Sequence, residues 1–128
     1  MIYRAVLSVS VFLLFASPAS AEDCPTSGYE EIEKLLADAP SCDKSMKLFE
    51  ACEYSASGDV GLGEIVIKKC EGDFLGKLSK SERASYDRKI KACWHKYAKE
   101  GGTMYRSFEA FCAAGVAQTY ARRAKAKK

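Results

Sequence analysis

Six cysteines and a single histidine are the residues of this chain best able to do covalent or metal chemistry. Cys24, Cys42, Cys52, Cys70, Cys93 and Cys112 could pair as disulfides or, as thiolates, hold a metal ion. A metal needs ligands that converge. No C-x-x-C spacing occurs, and Cys93-Trp94-His95 is the one place where a cysteine and a histidine lie together. An even cysteine count in a short chain reads instead as a disulfide framework, and no metal is expected. Any nucleophile would have to use His95 or a carboxylate as its base. Lys96, rather than an orienting aspartate, follows His95. Glu30, Glu31 and Glu33 gather where a helix begins, and there they complement the helix dipole. Gly58, Gly61 and Gly63 lack the lysine and hydroxyl of a phosphate-binding loop. The sequence therefore assigns no catalytic residue and no cofactor, and a non-enzymatic role is expected.

The elements that must carry these residues are helical. Tyr29, Ile32, Leu35 and Leu36 recur at helical spacing, and Asp38-Ala39-Pro40-Ser41 ends that segment. Met46, Leu48, Phe49 and Cys52 form a second apolar face before the turn residues Ser55-Ala56-Ser57-Gly58-Asp59. Val60 to Cys70 fits a helix, although Gly61 and Gly63 weaken it and Ile65-Val66-Ile67 has strand character. Ser79-Lys80-Ser81-Glu82 is a capping box. The stripe Tyr86, Ile90, Cys93, Trp94 and Tyr97 follows it, and Gly101-Gly102 is expected to end that helix. Thr103 is placed to cap a last helix with Tyr105, Phe108, Phe111, Cys112, Gly115 and Thr119 on one side. Ala110, Ala113, Ala114 and Ala117 would allow that helix a close approach to a neighbour. The expected fold is all-α: a small disulfide-bridged bundle of antiparallel helical hairpins.

Pairing follows from height along such hairpins, because a bridge needs Cα atoms within about 7 Å. Cys93 and Cys112 stand at similar distances from the Gly101-Gly102 turn, which predicts Cys93–Cys112. Cys52 and Cys70 straddle the Ser57-Gly58-Asp59 turn, which predicts a second bridge and leaves Cys24 with Cys42. The alternative joins Cys42 to Cys52 and Cys24 to Cys70, provided that Cys42 lies outside the helix.

Compartment and charge narrow the partners. Residues 1–21 read as an export signal: Arg4, an apolar stretch from Ala5 to Ala16, and the cleavage pattern Ala19-Ser20-Ala21. Residues 22–121 are then a single domain and 122–128 a basic tail. Residues 22–59 hold ten acidic and three basic side chains, whereas the tail carries five bases and no acid. Such a tail can touch an anionic membrane surface. No aromatic residue is interleaved among its bases, so a nucleic-acid partner is not expected. The expected location is periplasmic or extracellular.

One resemblance adds to this reading. Ser41-Cys42-Asp43 through Phe49-Glu50-Ala51-Cys52 resembles the opening cysteine pattern of the bacterial lysozyme-inhibitor LprI N-terminal-domain family. Cys93, Glu100-Gly101-Gly102-Thr103-Met104, Cys112, Thr119 and Arg122 resemble its later C…EGG(S/T)M…C…T..R pattern, so the likeness covers residues 41–122. The family's tryptophan and Arg-Asp pair before the later cysteine are replaced here by Arg88-Lys89-Ile90-Lys91-Ala92. The resemblance implies a helical, disulfide-bridged envelope protein, and a lysozyme or another envelope protein as partner. A binding protein of that kind is the expected function, with a lipid-surface or purely structural envelope protein as the alternatives.

Overall fold

A computed structural model describes residues 22–128. The export signal read at residues 1–21 lies outside them. Among the described residues there are five α-helices, a 3₁₀ turn at Leu75–Lys77 and no strand. The helices are α1 (Tyr29–Asp38), α2 (Cys42–Cys52), α3 (Asp59–Glu71), α4 (Lys80–Lys96) and α5 (Thr103–Ala126).

Local chemistry sets most of the boundaries. Ala39 is extended because Pro40 follows it, and α1 stops there. The Ser41 hydroxyl accepts the Lys44 amide at 3.1 Å and caps α2. Ser79 and Glu82 form the expected reciprocal cap on α4. Lys69 donates from Nζ to the Ala37 carbonyl at 2.9 Å, satisfying a free acceptor at the end of α1. The Val60 to Cys70 segment is helical despite its glycines.

Contacts fix the directions. Tyr29 reaches Gly58 and Lys69 reaches Ala37, so α1 and α3 run parallel. Ser107 meets Asp59 and Tyr120 meets Phe74, which makes α5 parallel to α3. The Phe49–Phe111 stack (ring centres 4.0 Å apart) and the bond from Gln118 to Asp43 set α2 antiparallel to α5. Cys93–Cys112 and the Tyr97–Tyr105 pair do the same for α4. Thus α1, α3 and α5 point one way, and α2 and α4 the other.

The core lies chiefly between α3 and α5. The residues that α5 buries are Ser107, Ala110, Ala113, Ala114, Ala117 and Ala121, its small-residue side, together with Glu109, which pairs with Arg106 at 3.1 Å. Of the side expected from its aromatic residues, Phe108 is exposed, and Tyr105, Phe111 and Cys112 are half-buried. Small residues win because they let α3 approach: a Cβ placed on Gly63 would stand only 3.1 Å from the Ala110 Cβ. Within this core Asp59 is fully buried and is held by the Ser107 hydroxyl at 2.7 Å and the Tyr54 amide at 2.8 Å. These donors meet its requirement for charge-assisted partners.

Three cystines staple the bundle: Cys24–Cys52, Cys42–Cys70 and Cys93–Cys112. Only the last agrees with the pairing expected from the sequence. Cys52 ends α2 beside the start of α3, whereas Cys70 lies eleven positions along α3, about 16 Å away. A Cys52–Cys70 bridge cannot span that distance. Cys42 begins α2 and belongs to its continuous helix, so it stands opposite Cys70 at the other end, out of reach of both Cys24 and Cys52. This excludes Cys24–Cys42 and the alternative set as well. Two smaller corrections concern the last turn. Helix α4 ends at Lys96, before Gly101-Gly102, and Gly102 rather than Thr103 occupies the cap position of α5, with φ of 105°.

Candidate functional site

The residues singled out by type do not converge. His95 is exposed on the last turn of α4. Glu30 and Glu31 are exposed on the first turn of α1, with Glu33 half-buried beyond them. All six cysteines are consumed by bridges, and among the described residues no group of three or more His, Cys, Asp or Glu side chains is arranged to hold a metal.

A different set does converge, at the end of the bundle where α3 and α5 finish and α4 begins. The chain leaving α3 passes Phe74, turns through Leu75–Lys77 and enters α4 at the Ser79 cap. This crossover and the last turns of α5 enclose a cleft of about 460 Å³. Its floor is apolar: Phe74, Leu78, Tyr120 and Ala124. Tyr86 lies beneath the floor and forms with Phe74 and Tyr120 a three-ring cluster with centres 5.0 to 5.4 Å apart. Tyr86 meets both other rings edge to face, and contacts of this kind favour fixed ring orientations. The Tyr86 hydroxyl donates to Glu71 at 2.7 Å. Burial pushes the Tyr86 phenol far above its ordinary value, and the neighbouring Glu71 carboxylate reinforces this, so the ring stays neutral.

The rim is basic. Lys89 and Arg123 lie 5.2 and 5.4 Å from the Tyr120 ring centre, within cation–π range. Lys77, Lys127 and Lys128 complete the ring of positive charge. The one carboxylate lining the cleft, Glu82, accepts the Ser79 amide at 2.7 Å in the helix cap. That backbone bond, with the Ser79 hydroxyl, holds Glu82 below the usual carboxylate range. Among the described residues none of the five rim bases is ion-paired. Arg122 behaves differently: it turns outward and, with Gln118, binds Asp43 at 2.8 and 2.7 Å. Partial burial alone pushes the Asp43 carboxyl upward, but those two bonds and the Arg122 charge hold it below its ordinary value. Arg122 thereby ties α5 to α2, while Arg123 faces the cleft.

The segment read from sequence as a separate tail is thus mostly helix and one wall of this site. Along the chain its bases have no interleaved aromatics; in space Phe74 and Tyr120 lie beneath them. The spacing of Tyr86, seven residues before Cys93, and Tyr120, eight after Cys112, is the signal that could have found the floor of the site, since a Cys93–Cys112 bridge sets both near one level. At the opposite end of the bundle lie all four exposed large apolar side chains of the described residues, Tyr29, Tyr54, Met104 and Phe108.

Fold and site together define a cystine-stapled helical bundle with an electropositive, aromatic-floored groove. Comparison with protein-family models, curated proteins and solved structures gives no match. The reading of function rests on this geometry.

Proposed function

We propose that the chain is an exported, non-catalytic binding protein of the periplasm and that the basic groove holds its anionic ligand. The observation that carries this reading is the set of five bases around one cleft, none in a salt bridge among the described residues, against a single lining carboxylate, Glu82. Like charges gathered this closely repel one another, and an anion relieves that repulsion. Export is supported by the three cystines and by the Ala19-Ser20-Ala21 pattern. No helix among the described residues is long and apolar enough to cross a membrane. Titration with polyphosphate, followed by chemical shifts, tests the groove. Shifts should centre on Lys89, Tyr120 and Arg123 and vanish in Lys89→Glu/Arg123→Glu; saturable binding that leaves these residues unmoved would reject the site.

A second reading, inhibition of a cationic lysozyme, is favoured by a separate feature. Glu22, Asp23, Glu30, Glu31 and Asp38 are exposed around the N-terminal segment and α1, a surface complementary to a basic enzyme. The lytic rate should fall with excess mature protein at low salt and recover at high salt. A rate indifferent to the protein removes this reading.

A further inference from the structure

The groove is built from two kinds of surface, and a simple anion uses only one. Phosphate or a short carboxylate would be satisfied by the rim cations and would leave the half-buried Leu78, Tyr120 and Ala124 facing water. Exposed apolar surface of this kind gains only when a ligand covers it. The charges, moreover, are asymmetrically placed. Lys89 and Arg123 are held over Tyr120, at the border between floor and rim, where a charged head attached to an apolar chain would sit. The volume falls within the usual range for a site that encloses one small molecule.

We infer that the ligand of the groove is a single-chain anionic amphiphile: one acyl chain along the Phe74–Leu78–Tyr120–Ala124 floor and an acidic head between Lys89 and Arg123. This rests on the anion-binding reading above and adds the ligand's apolar half. The head is a carboxylate or a phosphate, the chemistry shared by fatty acids and acidic lysolipids. The neutral Tyr86 phenol lies under the floor, where its bond to Glu71 and its ring contacts hold Phe74 and Tyr120 in place.

The test is calorimetric titration of the full mature protein with monomeric ligands of graded chain length. Octanoate, decanoate and laurate form one arm, dodecyl phosphate a second, and dodecyltrimethylammonium, acetate and inorganic phosphate the controls. Affinity should rise about two- to fourfold per added methylene. It should be lost with the cationic head and fall at least about tenfold in Lys89→Gln/Arg123→Gln, which retains the bulk of the rim. Laurate against dodecyl phosphate tells which head is preferred. Ala124→Glu, which leaves the three-ring cluster intact, should abolish the chain-length dependence; unchanged far-ultraviolet circular dichroism and the absence of free thiols certify that the variants fold. Binding of polyphosphate without chain-length dependence would overturn the amphiphile and leave the anion-binding reading standing. Indifference to every anion would overturn both. Adsorption to anionic vesicles with no binding of monomeric amphiphile would also overturn the inference, since the groove would then not enclose a chain.

Discussion

Removing the Cys42–Cys70 bridge should be the most damaging single staple loss in the bundle. In Cys42→Ala/Cys70→Ala the unfolded chain regains the freedom of a loop closed across a sequence separation of 28. Chain entropy puts that at about 3.6 kcal/mol. Both cysteines are buried, Cys42 at 4% and Cys70 at 0% exposure, so each deleted sulfur leaves a small void worth about 1 kcal/mol. The expected total is about 5.6 kcal/mol, comparable to the whole stability of many small domains. Cys93→Ala/Cys112→Ala opens a separation of 19, about 3.2 kcal/mol, and Cys112 is only half-buried. Its cost should be nearer 4 kcal/mol. Entropy alone barely separates the two bridges; burial decides their order. Urea unfolding followed by far-ultraviolet circular dichroism measures both, with the slope as a check that the unfolded state is comparable. Neither variant should expose a thiol, whereas Cys52→Ala/Cys70→Ala should leave Cys24 and Cys42 unpaired and reactive. A loss below about 2 kcal/mol at Cys42/Cys70, or a thiol-free Cys52/Cys70 variant, would refute the reasoning.

Two glycines in helices should respond in opposite senses. Gly115→Ala meets open space and should stabilise by about 0.5–1 kcal/mol through helix propensity, whereas Gly63→Ala would press against the Ala110 Cβ and its carbonyl oxygen at 3.1 and 3.3 Å. That obstacle is partly the backbone of α5 and cannot swing aside, so overpacking should outweigh propensity and cost about 1 kcal/mol net, read from the same urea midpoints. Alkaline pH should weaken the fold through Tyr86. Its folded-state pKa lies above the unfolded value of 10.0, so its contribution is complete below pH 10 and declines as pH rises past it, by up to about 1.4 kcal/mol per unit. Tyr86→Phe should lose about 1 kcal/mol at neutral pH with the Glu71 hydrogen bond and unfold with a shallower alkaline dependence; equal slopes for the two proteins would contradict this.

Much of the helical architecture was legible because local signals coincide with it. Ser79 and Glu82 read as a cap and are one; Pro40 stops α1 as its geometry requires. Cys93–Cys112 was legible because two helices joined by a short turn meet at predictable heights. The other bridges were not, since their partners depend on how α1, α2 and α3 are layered, which no short-range pattern encodes. The buried face of α5 misled in an instructive way. Large aromatics such as Tyr105 and Phe108 announce hydrophobicity, yet the close approach of α3 at Gly63 selects the alanines. The groove escaped for a related reason: Lys77, Lys89 and Arg123 come from three segments, the α3-to-α4 crossover, α4 and α5, and meet around Tyr120 only in the packed bundle.

The same crossover explains why a cleft exists at all. Both α3 and α4 lie beside α5 but run in opposite directions, so the chain must pass over the end of α5 to connect them. Alanines keep α3 tight against α5 along its length; near the crossover Tyr120 is the large residue, and Phe74 and Tyr86 gather around it. Two of the walls are fixed by covalent links away from the cleft, α3 to α2 through Cys70 and α4 to α5 through Cys93 and Cys112. A ligand therefore meets a preorganised floor and pays ordering entropy mainly at the rim, about 0.5–1.5 kcal/mol per long side chain immobilised. Lys89 and Arg123, already oriented over an aromatic ring, lose less of that freedom than Lys127 and Lys128 beyond the end of α5. The net attraction for an anion should then reside in the first pair, and the second pair should act chiefly on the rate of encounter, where unscreened charge matters more than fixed position.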